Sequence, residues 1–341
     1  MVDTFRLRTD AFGSPDLPSS VDEALGLATL LDDHDAVPGR GRTRELWELL
    51  AAIAAHDLGA VRAIEPHLDA MAIFEQAHND RVTDAAHDAD RTWGVFAAEG
   101  GDDPLIATWD EFDGEEGVPR WTLSGTKPWC SLAGRIDAAL VTARTSEGER
   151  RLFAVELSDP GVHVDESAWQ ARGLTEIPSG PVRFDDVLAL AIGEADWYLT
   201  RPGFTWGAIG VAACWFGGAV GIARTVHAAA VAKPNPFLLM HLGAIDSLLT
   251  SCSLALADAA ARVDAGAPTR VPAKRVRAIV ADAVEQVIAR AGHALGPAPL
   301  ALDSAHAKRV ADLQLYVRQH HAEKDLASLG EAIVSDGDAP W

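Results

Sequence analysis

From Val21 to about His78, apolar residues recur at three- and four-residue spacing, the mark of amphipathic helices. Leu25, Leu27, Leu30 and Leu31 make a first run. Leu46, Trp47, Leu49, Leu50 and Ile53 make a second, with Thr43 as its expected N-cap. Leu58, Val61, Ile64, Leu68, Met71 and Ile73 make a third. The polar stretch His78–Asp90 reads as a surface connection. Near Arg91 the period shortens. Trp93–Ala98, Ile106–Trp109, Trp121–Leu123, Ala138–Thr142, Leu152–Glu156 and Pro181–Asp186 read as short strands parted by Gly, Asp and Pro clusters. That spacing predicts a small barrel or sandwich. After about Trp197 the helical period returns in long Ala-rich runs at Gly203–Ala232, Leu238–Val263, Arg275–Leu295 and Ala305–His320. The expected fold class is α+β: a helical domain over 1–91, a β-domain over 92–196 and a helical bundle over 197–341.

Within the middle segment, Trp121–Ala133 (WTLSGTKPWCSLA) is the stretch around which the rest is organised. Read as a strand, it places Trp129 and Ser131 on one side, a flat apolar face next to a hydrogen-bonding hydroxyl. Such a pair suits a flat heteroaromatic ring whose edge needs a polar partner. Core packing is the competing reading of any strand Trp.

The 341 residues are enough for two or three lobes, and the formal net charge of -21 argues against nucleic acid or an anionic membrane as partner. Cys130, Cys214 and Cys252 are far apart and odd in number, so neither a disulfide framework nor a zinc site is expected, and the cytoplasm is the natural compartment. The N-terminus lacks the apolar core of a signal peptide. Gly203–Ala223 carries no charge and approaches membrane-spanning length, with Gly217 and Gly221 as a small-residue pair. Its Gly- and Ala-rich character reads instead as a buried bundle helix.

Helices, then a small β-module, then a bundle is a layout that resembles the acyl-CoA dehydrogenase superfamily. Ala98-Glu99 takes the place of that family's threonine-glutamate strand end, and Gly125-Thr-Lys127-Pro-Trp129-Cys-Ser131 is similar to its G-x-K-x-W-[IV]-[TS] strand. Arg172-Gly173-Leu174 through Val182-Arg-Phe184-Asp-Asp186-Val187 resembles the close of its β-domain. Lys308–Gly330 resembles its last core helix and active-site loop, and Leu46–Ala70 the N-terminal lobe of its shorter, actinobacterial-type members. The resemblance implies an N-terminal helical domain, a middle β-barrel or sandwich and a C-terminal four-helix bundle. It implies FAD, with Trp129 on the ring, Ser131 at its N5 edge, and the backbone of Ala97 and Ala98 at the pyrimidine edge. It implies an acyl-CoA or similar small-molecule substrate, whose hydride goes to the flavin while a base takes the α-proton. It also implies a homo-oligomer, dimer or tetramer, built through the bundle.

The departures from that pattern are specific. The phosphate-facing loop is Gly101-Asp102-Asp103-Pro104, whose two acids oppose a pyrophosphate. The bundle motif that grips the adenylate end is replaced by Ala232-Lys233-Pro234-Asn235-Pro236, with Gly243 at its Gln position, and the Gly-rich adenylate loop shrinks to Gly296-Pro297-Ala298-Pro299. The family's catalytic Glu falls on His320 or His321, either able to accept a proton near pH 7. Glu285, Asp246 and Asp258 are the carboxylate alternatives. A histidine there also suits a flavin monooxygenase of the same fold. The lost adenylate contacts suit a non-catalytic subunit that pairs with a complete homologue.

Other candidates read as structure. His67 reads as a hydrogen-bonded core histidine, and Arg270, Lys274, Arg275 and Arg277 as a solvated helix face, with CoA phosphates as the alternative. Ser124-Gly-Thr-Lys127 matches the S-x-x-K hydrolase pattern but lies in a strand and turn, where that chemistry needs a helix start. His320-His321-Ala-Glu323 makes no metal site, because adjacent histidines diverge on a helix.

Overall fold

The structure is a computed structural model describing residues 4–13, 16–32, 36–77, 91–110, 120–267 and 269–337. The connection expected over His78–Asp90 lies outside the described residues. Three helices open the chain: α1 (Val21–Asp32), α2 (Thr43–His56) and α3 (Leu58–Ala77). Thr43 does not cap α2 with its side chain. Its hydroxyl bonds Asp264 at 2.5 Å and accepts from Gly39 N at 2.7 Å, which ties the start of α2 to a helix more than two hundred residues later.

Seven strands follow: β1 (Trp93–Phe96), β2 (Ile106–Asp110), β3 (Arg120–Lys127), β4 (Ala138–Thr145), β5 (Arg150–Glu156), β6 (Val162–Val164) and β7 (Val182–Ile192). The order β4-β2-β3-β7-β5 returns to β4 through the β4–β5 pairing, so the sheet closes into a small barrel. One edge of β4 is shared end to end, β1 pairing Ala138–Val141 and β2 pairing Arg144 and Thr145. β3 and β7 are longer than the alternation predicts. Asp185-Asp186 reads as a strand end, but Asp186 sits at φ 53° as an irregularity inside β7, its N–H donating to Ser124 Oγ and its carboxylate accepting from the same hydroxyl at 2.7 Å.

The long helices after the barrel are α4 (Pro202–Ala232), α5 (Pro236–Asp264), α6 (Arg270–Leu295), α7 (Ser304–Tyr316) and α8 (Glu323–Asp336). The uncharged stretch inside α4 is core, with 78% of its apolar window buried. Its small residues let α2 approach closely: a Cβ at Gly217 would stand 2.1 Å from Ala51 O, and one at Gly221 2.8 Å from Ala55 O. α5 is nearly as long and nearly as apolar, yet only 22% of its window is buried, and Phe237, Leu239, Met240 and Leu254 lie exposed. The N-terminal helices, the barrel and α4 share one continuous core.

Candidate functional site

Strand β3 ends at Lys127, whose ammonium is buried and donates to Thr142 O at 2.6 Å and Thr142 Oγ1 at 2.8 Å. It also reaches Glu99 at 3.3 Å, which draws the chain just after β1, with Ala97 and Ala98, against the end of β3. The chain then turns out of the sheet. Trp129 and Ser131 therefore do not lie on a strand as the alternation predicts: Trp129 has φ 61° and Leu132 φ 58°, both in the left-handed region. The turn is stitched to the segment before β7 by Cys130 N→Gly180 O at 3.0 Å and Leu132 N→Pro178 O at 2.8 Å. Trp129 is left 62% exposed, with the Trp169 ring edge-on to its indole at 6.3 Å. The Ser131 hydroxyl is turned inward.

Ser131 Oγ lies 2.8 Å from Ser179 Oγ and accepts from Arg62 Nη2 at 2.8 Å. Arg62 stands on α3 and was missed in the sequence. Its Nη1 donates to Glu65 at 3.0 Å, and its guanidinium lies 5.2 Å from the ring of Tyr316 at the end of α7. Tyr316 packs edge-on against Trp215 of α4 at 6.2 Å, and Trp215 against His320 at 6.5 Å. A continuous band thus runs from the turn after β3, through α3, to the loop after α7. Trp215 Nε1, Tyr316 Oη and His320 Nε2 are buried without hydrogen-bond partners among the described residues.

Burial pushes the Glu65 carboxyl up to about 7, against the pull of Arg62. One turn on, Asp69 pairs with the buried Arg201 at 2.9 Å, and both carboxylates line a cavity of about 30 Å³ with Trp47 and Trp206. Burial likewise lowers the His320 pKa, so its imidazole is neutral at pH 7, with Asp325 at 3.9 Å from Nε2. His321 is separated from it by geometry: its side chain is 65% exposed and faces Asp325 at 3.6 Å. The carboxylate alternatives are outward-facing, Glu285 with Arg318, Asp258 with Arg262, and Asp246 exposed.

The wall carrying Ser179 is clamped to α7. Leu174 N donates to the buried Asp312 at 2.6 Å, and Lys308 gathers Asp312, Glu176 and Asp57 within 3.0 Å. A Cβ at Gly173 would stand 2.1 Å from Ala311 O, so the backbones meet directly there. Two further expectations resolve. His67 is core, its Nδ1 accepting from Trp93 N, and burial lowers its pKa to about 4. Arg277 is not on a solvated face: it turns inward over Trp215 at 4.6 Å and donates to Ala208 O and Gln319 O.

The opposite side of the candidate ring site is open. Gly101, Asp102, Asp103 and Pro104 are exposed, and Asp103 is held only by Thr126, through N→O at 3.0 Å and Oγ1→Oδ2 at 2.9 Å. Nearby, Glu99 carries Arg150 at 3.4 Å and Arg144 at 3.6 Å besides Lys127, so the loop is not purely acidic in its surroundings. Residues 233–237, at the corner between α4 and α5, are exposed, and Gly243, Gly292 and Gly296 face open space.

The family model for the acyl-CoA dehydrogenase middle domain matches residues 99–187. The chain has the acyl-CoA dehydrogenase fold and carries that family's middle domain. A stretch of 112 residues is 34% identical to acyl-CoA dehydrogenase IpdE1 of Mycobacterium tuberculosis (strain ATCC 25618 / H37Rv), covering 31% of this chain and 26% of that one, about a quarter of its length. Over nearly the whole chain the fold is similar to TdsC from Paenibacillus sp. A11-2, a structure with FMN and indole, at TM-score 0.77 and 17% identity, covering 94% of this chain and 90% of that one. It is similar to butyryl-CoA dehydrogenase from Megasphaera elsdenii at TM-score 0.74 and 16% identity, covering 94% and 99%. The turn that Arg62 and Ser179 hold lies within the matched residues 99–187.

Proposed function

We propose that this chain is a flavin-dependent oxidoreductase of the acyl-CoA dehydrogenase type, oxidising an acyl thioester across its α and β carbons with FAD as the hydride acceptor. The observation that supports it most is the band from Ser131 through Arg62, Tyr316 and Trp215 to His320, which joins the ring-binding turn to the histidine in the base position. The residues present fit a flavin ring. Trp129 offers an exposed aromatic face, Ser131 a held hydroxyl, and Ala97 and Ala98 a half-buried strand end. A bound flavin would supply the two-electron acceptor. His320, kept neutral by burial, accepts the α-proton, and Asp325 favours the imidazolium once it forms. His321 has the weaker case, since its ring is solvated.

A second reading has its own support. The open Gly101–Pro104 loop and the bare bundle corner offer nothing to an adenylate, which suits FMN and a monooxygenase of the same fold. A partner subunit that completes the site is the third. In each, the exposed apolar face of α5 is the surface for oligomer formation, and the three buried, unpaired cysteines suit the cytoplasm. An absorbance spectrum of the purified protein before and after adding FAD or FMN tests the flavin reading. A retained visible band, bleached anaerobically by an acyl-CoA in wild type and not in His320→Ala, is the expected result. A band that acyl-CoAs leave unbleached, with oxygen-dependent hydroxylation instead, moves the assignment to the monooxygenase. A colourless protein that takes up neither flavin defeats both catalytic readings.

A further inference from the structure

Resting on that flavin reading, we propose that Arg62 is a positioning residue for the electron-accepting edge of the ring: it fixes the Ser131 hydroxyl as a donor and sets a permanent positive charge behind it. A serine hydroxyl has one proton to give and can accept twice. Arginine has no acceptor, so the 2.8 Å contact is donation from Arg62 Nη2 into Ser131 Oγ. Ser179, 2.8 Å away on another side, can donate as well, and both lone pairs of Ser131 are then used. The one group left free is the Ser131 O–H, which must point away from both. Ser179 can instead donate to Ile177 O at 3.1 Å, in which case it takes the Ser131 proton itself. A ring nitrogen beside Ser131 selects the first arrangement, and Arg62 is what makes a donor the only role left to Ser131 there.

The charge is fixed as firmly as the hydroxyl. Arg62 is held by Glu65 on one side and the Tyr316 ring on another, and its side chain is 11% exposed. A buried charge is screened far less than a surface one, and guanidinium does not deprotonate at working pH. Glu65 offsets the charge only in part, because burial leaves its carboxyl incompletely ionised near neutrality. A ring that takes up two electrons gains negative charge, so a cation at this place raises its affinity for them. Arg62 reaches Ser131 from α3, outside the middle-domain motif that carries Trp129 and Ser131.

The test is the flavin midpoint potential, measured by dye equilibration on wild type, Arg62→Gln, Arg62→Lys, Ser131→Ala and the Arg62→Gln/Ser131→Ala double variant, each loaded with FAD or, if FAD is not held, FMN. Arg62→Gln should keep oxidised flavin within about threefold while its affinity for the reduced form, relative to the oxidised, falls roughly tenfold, about 30 mV for a two-electron couple. Arg62→Lys keeps the charge and should fall less. On the Ser131→Ala background the Arg62→Gln shift should shrink. An unchanged potential in loaded Arg62→Gln overturns the proposal, as does a shift undiminished without Ser131. If Arg62→Gln does not fold, Ser131→Ala carries the test, because it removes the hydroxyl that Arg62 fixes, and an unchanged potential there overturns it too. A wild type that takes up neither FAD nor FMN overturns the flavin reading and this proposal together, which a spectrum distinguishes from the failure of this proposal alone.

Discussion

The two ends of the candidate flavin site are built in different ways. At the ring end, three parts of the chain converge on one hydroxyl: the turn after β3 supplies Ser131, α3 supplies Arg62, and the clamped wall before β7 supplies Ser179. The three residues are half-buried and hydrogen-bonded to one another, and Arg62 adds a charge, so their placement is expensive to disturb. At the tail end, the loop from Gly101 to Pro104 and the corner at residues 233–237 are exposed, and their side-chain hydrogen bonds, Asp103 with Thr126 and Asn235 with Leu238 N, are local ones. The contrast teaches where binding free energy for a flavin can come from in this chain. On the proposed flavin reading it comes mainly from the ring, with Arg144 and Arg150 beside Glu99 as the cations nearest the phosphate-facing loop.

The largest test of that contrast is whether the ring end is as dry as its contacts imply. Glu65 titrates at about 7 when folded against 4.5 as its ordinary value, so the folded protein binds the extra proton between those limits. Stability is therefore lost as pH rises from about 4.5 to 7 and stays lost above, by roughly 3 kcal/mol. His67 works in the opposite sense: its pKa is lowered to about 4, so stability is lost as pH falls below 6.5. The two slopes oppose each other over much of the range, and the wild-type curve alone is not diagnostic. The difference between Glu65→Gln and wild type isolates the carboxyl, because glutamine keeps an acceptor for Arg62 without the charge. Urea unfolding should give equal stabilities near pH 4 and a variant more stable by up to about 3 kcal/mol at pH 8. A difference that stays flat with pH would mean that Glu65 is solvated, and the contrast between the two ends would collapse.

Second in size is the ring contact itself. Trp129 is 62% exposed and packs edge-on against Trp169, so Trp129→Ala should change stability by no more than about 0.5 kcal/mol. Flavin affinity should nevertheless drop by about 1–3 kcal/mol, the range of aromatic stacking on a heterocyclic base. Equilibrium titration with FAD and with FMN should show the same loss for both, since the indole meets only the ring they share. Unchanged affinity in the folded variant would remove Trp129 from the site.

These two residues also show what the sequence could and could not tell. Trp129 and Ser131 stand out in the sequence as candidates because their relation is local, two positions apart in a motif beside a recognisable strand. Even so, alternation placed them on that strand, whereas a left-handed backbone at Trp129 sends the indole outward and lets the hydroxyl turn in. Arg62 and Glu65 were not legible. The helical period of α3 identifies one apolar face through Val61, Ile64, Leu68 and Met71, and residues 62, 65 and 69 fall beside it, where charges normally meet water. They are enclosed because the barrel turn and α4 cover a second side of the helix, which only tertiary packing decides. The i, i+3 charge pair flanked by apolar positions was the available signal. Sequence alone does not rank His320 and His321, since adjacent positions at the end of a helical run carry no signal of which is enclosed. The helical turn ends at His320, which adopts φ -89° and ψ 117°; both rings approach Asp325, but the His320 side chain is 8% exposed and that of His321 65%.

The smallest expected effect belongs to the tail. Asp102 is exposed in a loop that would face a pyrophosphate, and its charge opposes one only through water. Asp102→Asn should improve FAD affinity by about 0.5 kcal/mol at low ionic strength, roughly twofold, and the gain should vanish near 1 M salt, where screening acts over about 3 Å. Asp103 is the poorer choice, because its carboxylate also accepts from Thr126 and holds the loop to β3. A gain tenfold or larger, persisting in high salt, would mean that the loop closes on the phosphates when flavin is bound. The tail would then be a second built site, and the ring end would no longer be the main source of affinity.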